Sequence, residues 1–132
     1  MTHLVLISHG NFCEALKEST EMIMGPQDLI KTIPLLPSEG QEDFKNKFLD
    51  VTKHLDDYIV LADLMGGTPC NVISKMILSG EDITLYAGMN MPMVIGFINS
   101  VLTEQPVDLL DSGIKNIISV NQILAEMDDD DE

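Results

Sequence analysis

The chain has 132 residues, 45% of them hydrophobic, and a formal net charge of −15 from 22 acidic against 7 basic side chains. That is the size of one domain with a substantial core, and the apolar content excludes a disordered chain. The surplus of carboxylates opposes nucleic-acid binding, since phosphates demand clustered Lys and Arg. No apolar run approaches the roughly 20 residues that span a bilayer. The N-terminus also lacks the basic flank and cleavage site of a signal peptide, so the expected location is cytoplasmic. Cys13 and Cys70 stand at no metal-like spacing and are expected to be free thiols.

Leu4-Val5-Leu6-Ile7 is a continuous apolar run, as in a strand buried on both faces of a parallel sheet, and Ser8-His9-Gly10 follow where that strand ends. Phe12, Ala15, Leu16, Ser19, Met22 and Ile23 then fall at helical spacing, and Gly25-Pro26 supplies a helix stop. A short strand is predicted over 29–33, broken by Pro34 and Pro37. Ser38 and Gln41 resemble a capping box opening a helix with the stripe Phe44, Phe48, Val51 and Leu55. Residues 58–63 read as a third strand and 69–79 as a helix burying Val72, Ile73, Met76 and Ile77, with Gly80 as its stop. A fourth strand over 83–87 leads through Gly88–Pro92 into a helix carrying Met93, Val94, Phe97, Ile98 and Val101. A short helix is expected over 106–112, ended by Gly113, and 117–120 reads as a last strand at the sheet edge, with 121–127 open between helix and coil. The alternation argues for an α/β fold, a parallel sheet with helices on both faces, in a single domain over 1–127 followed by an acidic tail, 128–132. The nine methionines read mainly as core filler.

Ligands of open α/β sheets gather beyond the carboxyl ends of the strands, where this chain puts His9 and Asp63. A charged residue ending an apolar strand needs a partner. If the first and third strands are neighbours, Asp63 accepts from Nδ1–H of His9 and leaves Nε2 as a nucleophile or base. The plainer readings are a packed or capping histidine and a carboxylate that caps the glycine turn. Gly66-Gly67-Thr68-Pro69 adds a turn that allows close backbone approach, with Thr68 as N-cap and Pro69 opening a helix whose free amides can hold an anion. Together these parts suit phosphoryl transfer through phosphohistidine, with Gly66, Gly67 and Thr68 holding the phosphoryl group.

Competing chemistries lack parts. There is no P-loop, G-x-G-x-x-G or G-x-S-x-G. Cys13 follows His9 by four residues but falls within a predicted helix, as a packed thiol. His3 and His54 read as surface residues without metal-ligand spacing. Asn90 is either a hydrogen-bonding group at the site rim or a turn residue.

Four segments, Leu6-Ile7-Ser8-His9-Gly10, Glu21-Met22-Ile23-Met24-Gly25, Asp63 through Asn71 and Gly88 through Met93, give the chain a resemblance. It is similar to the enzyme IIA component of the mannose (mannose–fructose–sorbose) class of the bacterial sugar phosphotransferase system. The resemblance implies that His9 is phosphorylated by the phosphocarrier HPr and passes the group to enzyme IIB, with Asp63 bonding the imidazole and Thr68 helping to hold the phosphoryl group. It implies the strand order 2-1-3-4 with an antiparallel edge strand, a homodimer, and no metal or other cofactor. Met65 departs from the family, where an aromatic residue is common. Two other functions stand beside this one: a regulatory phosphohistidine domain of the same family signalling to a non-transport partner, and a hydrolase or isomerase using His9 and Asp63 on a small anion.

Overall fold

The computed structural model describes residues 1–130. Its elements alternate: β1 (Thr2–His9), α1 (Phe12–Met24), β2 (Ile30–Leu35), α2 (Gln41–Thr52), β3 (Asp57–Ala62), α3 (Thr68–Leu78), β4 (Thr84–Ala87), α4 (Met91–Thr103), α5 (Leu109–Lys115) and α6 (Val120–Asp130). The strands form one sheet in the order β2-β1-β3-β4, and every pairing is parallel.

β1 is central, which explains its unbroken apolar run: Leu4, Val5, Leu6 and Ile7 are all fully buried. Complete burial of each such side chain is worth about 1.5–3 kcal/mol. Because strand side chains alternate in direction, the run serves two cores. Leu4 and Leu6 pack with Cys13, Leu16, Val94, Phe97 and Ile98 of α1 and α4. Val5 and Ile7 pack with Phe44, Phe48, Val72 and Ile73 of α2 and α3.

Several local expectations are corrected. Pro34 does not end β2, which continues to Leu35. β2 is an edge strand, where a residue lacking N–H is tolerated. The buried face of α1 is Cys13, Leu16 and Thr20, while Phe12, Met22 and Ile23 are exposed. Thr20 can be buried because its hydroxyl donates to the Leu16 carbonyl at 2.8 Å. Ser38 and Gln41 form no capping box. Gly40 is the N-cap of α2, and its N–H donates to Asp43 at 2.9 Å. Gly113 does not stop the last short helix but lies inside α5. A Cβ there would stand 2.8 Å from Met93 Cγ, so the missing side chain is what lets α5 approach α4.

The antiparallel edge strand is absent among the described residues. Residues 117–119 lie in no element, and α6 begins at Val120. This stretch is exposed among the described residues: Ile117 at 76%, with Ile118 and Val120 exposed as well. The acidic tail falls partly outside the described residues, since α6 runs to Asp130 and 131–132 lie beyond it. Among the described residues no helix is long and apolar enough to cross a membrane.

Candidate functional site

The order β2-β1-β3-β4 makes β1 and β3 neighbours whose following connections run to opposite sides, the arrangement that opens a crevice at the strands' carboxyl ends. β1 pairs with β3 up to Ile7 and Ala62, and the pairing is extended by the Asp63 N–H donating to the Ile7 carbonyl at 3.2 Å. His9 and Asp63 therefore leave their strands side by side.

Asp63 is the hub. Its Oδ2 lies 2.7 Å from His9 Nδ1 and accepts the backbone N–H of His9 at 2.9 Å, while its Oδ1 accepts the N–H of Leu64 at 2.9 Å. Burial alone would raise the pKa of this carboxyl, but the His9 amide, the His9 ring and the Leu64 amide outweigh it and hold the pKa below its ordinary value. The acid is thus ionised and engaged, with a side chain only 10% exposed, against 48% for His9. With Nδ1 occupied, Nε2 is the ring nitrogen left for chemistry.

Gly67 decides where that nitrogen sits. It is the N-cap of α3, with extended backbone (φ −96°, ψ 167°), and a Cβ built on it would fall 2.3 Å from His9 Cε1 and 2.9 Å from Nε2. The Cε1 edge of the imidazole occupies the space a side chain would fill. Gly66 takes φ +92°, a conformation that favours glycine, and so turns the chain into the helix. Thr68 is the first helical residue rather than the cap, one position later in the helix than its sequence suggested, and Pro69 follows within the first turn. The Asn71 N–H donates to the Gly67 carbonyl at 2.9 Å, opening the helical ladder. The amides of Thr68 and Cys70 precede that first bond and have no intrahelical partner. Among the described residues the Thr68 hydroxyl makes no hydrogen bond. Nε2 thus stands at the positive end of a helix, beside donors that suit an anion.

The site's parts come from two segments of the chain, the end of β1 with His9 and the turn from Asp63 into α3. Residues 3–112 match the family model described as PTS system fructose IIA component, EIIA-man. The chain belongs to this family. It is 30% identical over 98 residues to the fructose-specific EIIA component of Bacillus subtilis strain 168, covering 72% of this chain and 67% of the relative. It is 32% identical over 98 residues to the mannose-specific EIIAB component of Escherichia coli K12, of whose length it spans only 29%. Among solved structures, the PTS IIA protein associated with the fucose utilization operon of Streptococcus pneumoniae superposes with a TM-score of 0.82 at 26% identity, covering 93% of this chain and 96% of that one. The mannose/sorbose-specific IIA subunit of Enterococcus faecalis superposes with a TM-score of 0.75, also at 26% identity, over 90% and 94% of the two chains.

In this EIIA component the residues singled out from sequence divide clearly. His9, Asp63 and Gly67 are in contact, with Gly66 and Thr68 flanking them. Asn90 is a turn residue. Its Oδ1 accepts from the Met93 N–H at 3.2 Å and its Nδ2 donates to the Gly113 carbonyl at 3.2 Å, tying α4 to α5. Cys13 is buried, and burial pushes its thiol pKa up, away from reactivity. His54 is exposed as expected, but His3 is half-buried in β1, with a buried Nδ1 that has no partner among the described residues. Around His9, Phe12, Leu36, Leu64 and Met65 are exposed apolar side chains, Met65 at 83%. Two features escaped the sequence reading. One is the contact between Gly67 and the imidazole, which no local pattern encodes. The other is Ser8, whose only signal is a hydroxyl at the end of an otherwise apolar strand.

Proposed function

We propose that this EIIA component is a histidine phosphocarrier of sugar transport, accepting a phosphoryl group from HPr on Nε2 of His9 and passing it to enzyme IIB. The observation that carries the reading is the pairing of His9 Nδ1 with an ionised, largely buried carboxylate at 2.7 Å, which leaves Nε2 beside the first turn of α3.

In the forward step the Nε2 lone pair attacks phosphorus of the donor phosphohistidine. The donor P–N bond breaks, its electron pair returns to the donor ring, and a new P–N bond forms on His9. Nδ1 keeps its proton, and the positive charge that develops on the ring is offset by Asp63. The phosphoryl oxygens are held by the Thr68 hydroxyl and the free amides at the start of α3, with the glycines at 66 and 67 keeping the approach open. Transfer to enzyme IIB reverses these roles. Because the phosphoryl donor is itself a high-energy phosphoprotein, the proposed transfer needs no metal or nucleotide.

The exposed apolar rim of Phe12, Leu36, Leu64 and Met65 supports docking of the two carriers in turn, and the net charge of −15 favours encounter with basic faces. The protein works in the cytoplasm as a homodimer. Support for a second copy comes from the exposed apolar residues Ile114, Ile117, Ile118, Val120, Ile123 and Leu124. Incubation with phosphoenolpyruvate, enzyme I and HPr should place an acid-labile phosphoryl label on the chain, and a IIB component should remove it. Label that persists in His9→Ala would overturn the assignment.

A further inference from the structure

The turn that carries His9 is tied to its surroundings on three sides. Toward β3, Asp63 Oδ2 takes both the backbone N–H and the ring Nδ1 of His9. Toward β2, the Gly10 N–H donates to the Leu35 carbonyl at 2.8 Å. Toward α1, the link runs through Ser8. This residue is fully buried, its Oγ accepts the Cys13 N–H at 2.8 Å, and the same hydroxyl donates to the Gly10 carbonyl at 3.1 Å.

The need for this bridge lies in the local chain. α1 starts at Phe12 behind Asn11, whose side chain makes no capping bond, so the first turn of the helix lacks the usual local acceptor. Cys13 is buried, and its N–H would be left unsatisfied without Ser8. Gly10 sits in the left-handed region at φ +55°, so the peptide plane that follows it, joining Gly10 to Asn11, is turned out of the strand direction, and its carbonyl needs its own anchor. One oxygen, donating and accepting at once, meets both needs across the turn. Only a hydroxyl does this within the space of a small side chain.

The tolerance at His9 is narrow. Its ring is held between Asp63 and the bare Cα of Gly67, where even a methyl group would stand 2.3 Å from Cε1. A backbone shift of a few tenths of an ångström therefore changes either the Nδ1 bond or the direction of Nε2. We propose that Ser8 is a positioning residue for phosphoryl transfer, its buried hydroxyl coupling the start of α1 to the His9 turn and so fixing the imidazole on Asp63. This rests on the reading of His9 as the phosphoryl acceptor. The function of Ser8 is exerted through His9, without contact with the phosphoryl group.

The test compares the full chain with Ser8→Ala, Ser8→Thr and Thr20→Ala. The last removes another fully buried hydroxyl of α1, remote from the turn, and controls for general loosening of that helix. Two quantities are read: the rate of phosphoryl transfer from phospho-HPr, split into kcat and KM, and the Nδ1–H signal of His9 by proton–nitrogen NMR in the unphosphorylated protein. Ser8→Ala should lower kcat by about tenfold while leaving KM within about a factor of two, because alignment and not docking is lost. Its His9 should also show a weakened Nδ1–H bond or a mixed tautomer. Ser8→Thr should recover both, and Thr20→Ala should move neither. Should Ser8→Ala fail to fold, Ser8→Cys, similar in shape but a weak hydrogen-bonding group, replaces it with the same expectation. Wild-type kcat and NMR signal in the variant, an equal change in Thr20→Ala, or no recovery with Thr would overturn the proposal. If the wild type takes no label from phospho-HPr, the carrier reading fails, while the NMR comparison still decides whether Ser8 orients His9.

Discussion

At the carboxyl ends of β1 and β3, the polar groups of His9, Asp63 and Leu64 find their partners inside one chain, and a glycine makes room for the ring they hold. From Ile114 to Met127 the same chain leaves apolar side chains uncovered, with Ile117, Ile118, Val120, Ile123, Leu124 and Met127 all exposed. The first region is finished by its own fold. The second leaves hydrophobic surface exposed, the surface that the proposed second copy would cover. The difference separates two questions often merged in a transfer protein: what orients the reacting group, and what the domain assembles with.

Four substitutions or conditions sharpen that contrast. The largest effect is expected from Gly67→Ala. The backbone at 67 is extended and open to any residue, so the fold should survive, but the new methyl must displace the imidazole. Phosphoryl acceptance from HPr should fall about 100-fold with an unchanged circular dichroism spectrum. A rate within twofold of wild type would show that the ring has room to move. Asp63→Asn should come next. It replaces charge-assisted hydrogen bonds worth about 1.5–3 kcal/mol, and acceptance should drop about 10- to 100-fold while the chain stays folded.

At the other region, Ile117→Asp combined with Ile123→Asp should lower the apparent mass on analytical ultracentrifugation toward that of one chain. Labelling of His9 should change by no more than about twofold if the site is complete within one copy. A large loss of labelling would instead mean that the second copy shapes the site. The smallest effect concerns pH. The Asp63 carboxyl titrates lower in the folded chain than in the unfolded one. Its contribution to stability is therefore present above its ordinary pKa and lost as pH falls through the depressed folded value. The difference in Tm between wild type and Asp63→Asn, roughly a few degrees near neutrality, should shrink on acidification. A constant difference would mean that the carboxylate's charge is not what stabilises the pair.

Much of this was legible in the amino-acid order. The apolar runs of β1 and β3, the stripes of α2, α3 and α4, and the paired placement of His9 and Asp63 at strand ends are local patterns with local physical causes. Burial on both faces demands continuous apolar residues, and a helix packed on one side demands a 3.6-residue period. The failures share a cause as well. Pro34 looks like a break because sequence does not say which strands are edges. The buried face of α1 does not follow from its apolar residues, because Thr20 satisfies its hydroxyl within the helix and passes as core, while Phe12, Met22 and Ile23 face out. Residues 117–120 have the composition of a strand, but 117–119 lie in no element and Val120 opens α6, because an apolar run by itself supplies no strand to pair with.

The amino-acid order by itself determined the alternating α/β pattern, the apolar run of β1, and the residue types gathered at the candidate site, because each follows from periodicity, capping chemistry and the cost of burying a charge. Tertiary structure alone decided the contact of Gly67 with the imidazole, the two-way hydroxyl of Ser8 and the face that α1 buries. Those depend on distances between segments that meet only when the sheet has formed, and no short-range pattern encodes a gap of a few ångströms between residues far apart in the chain.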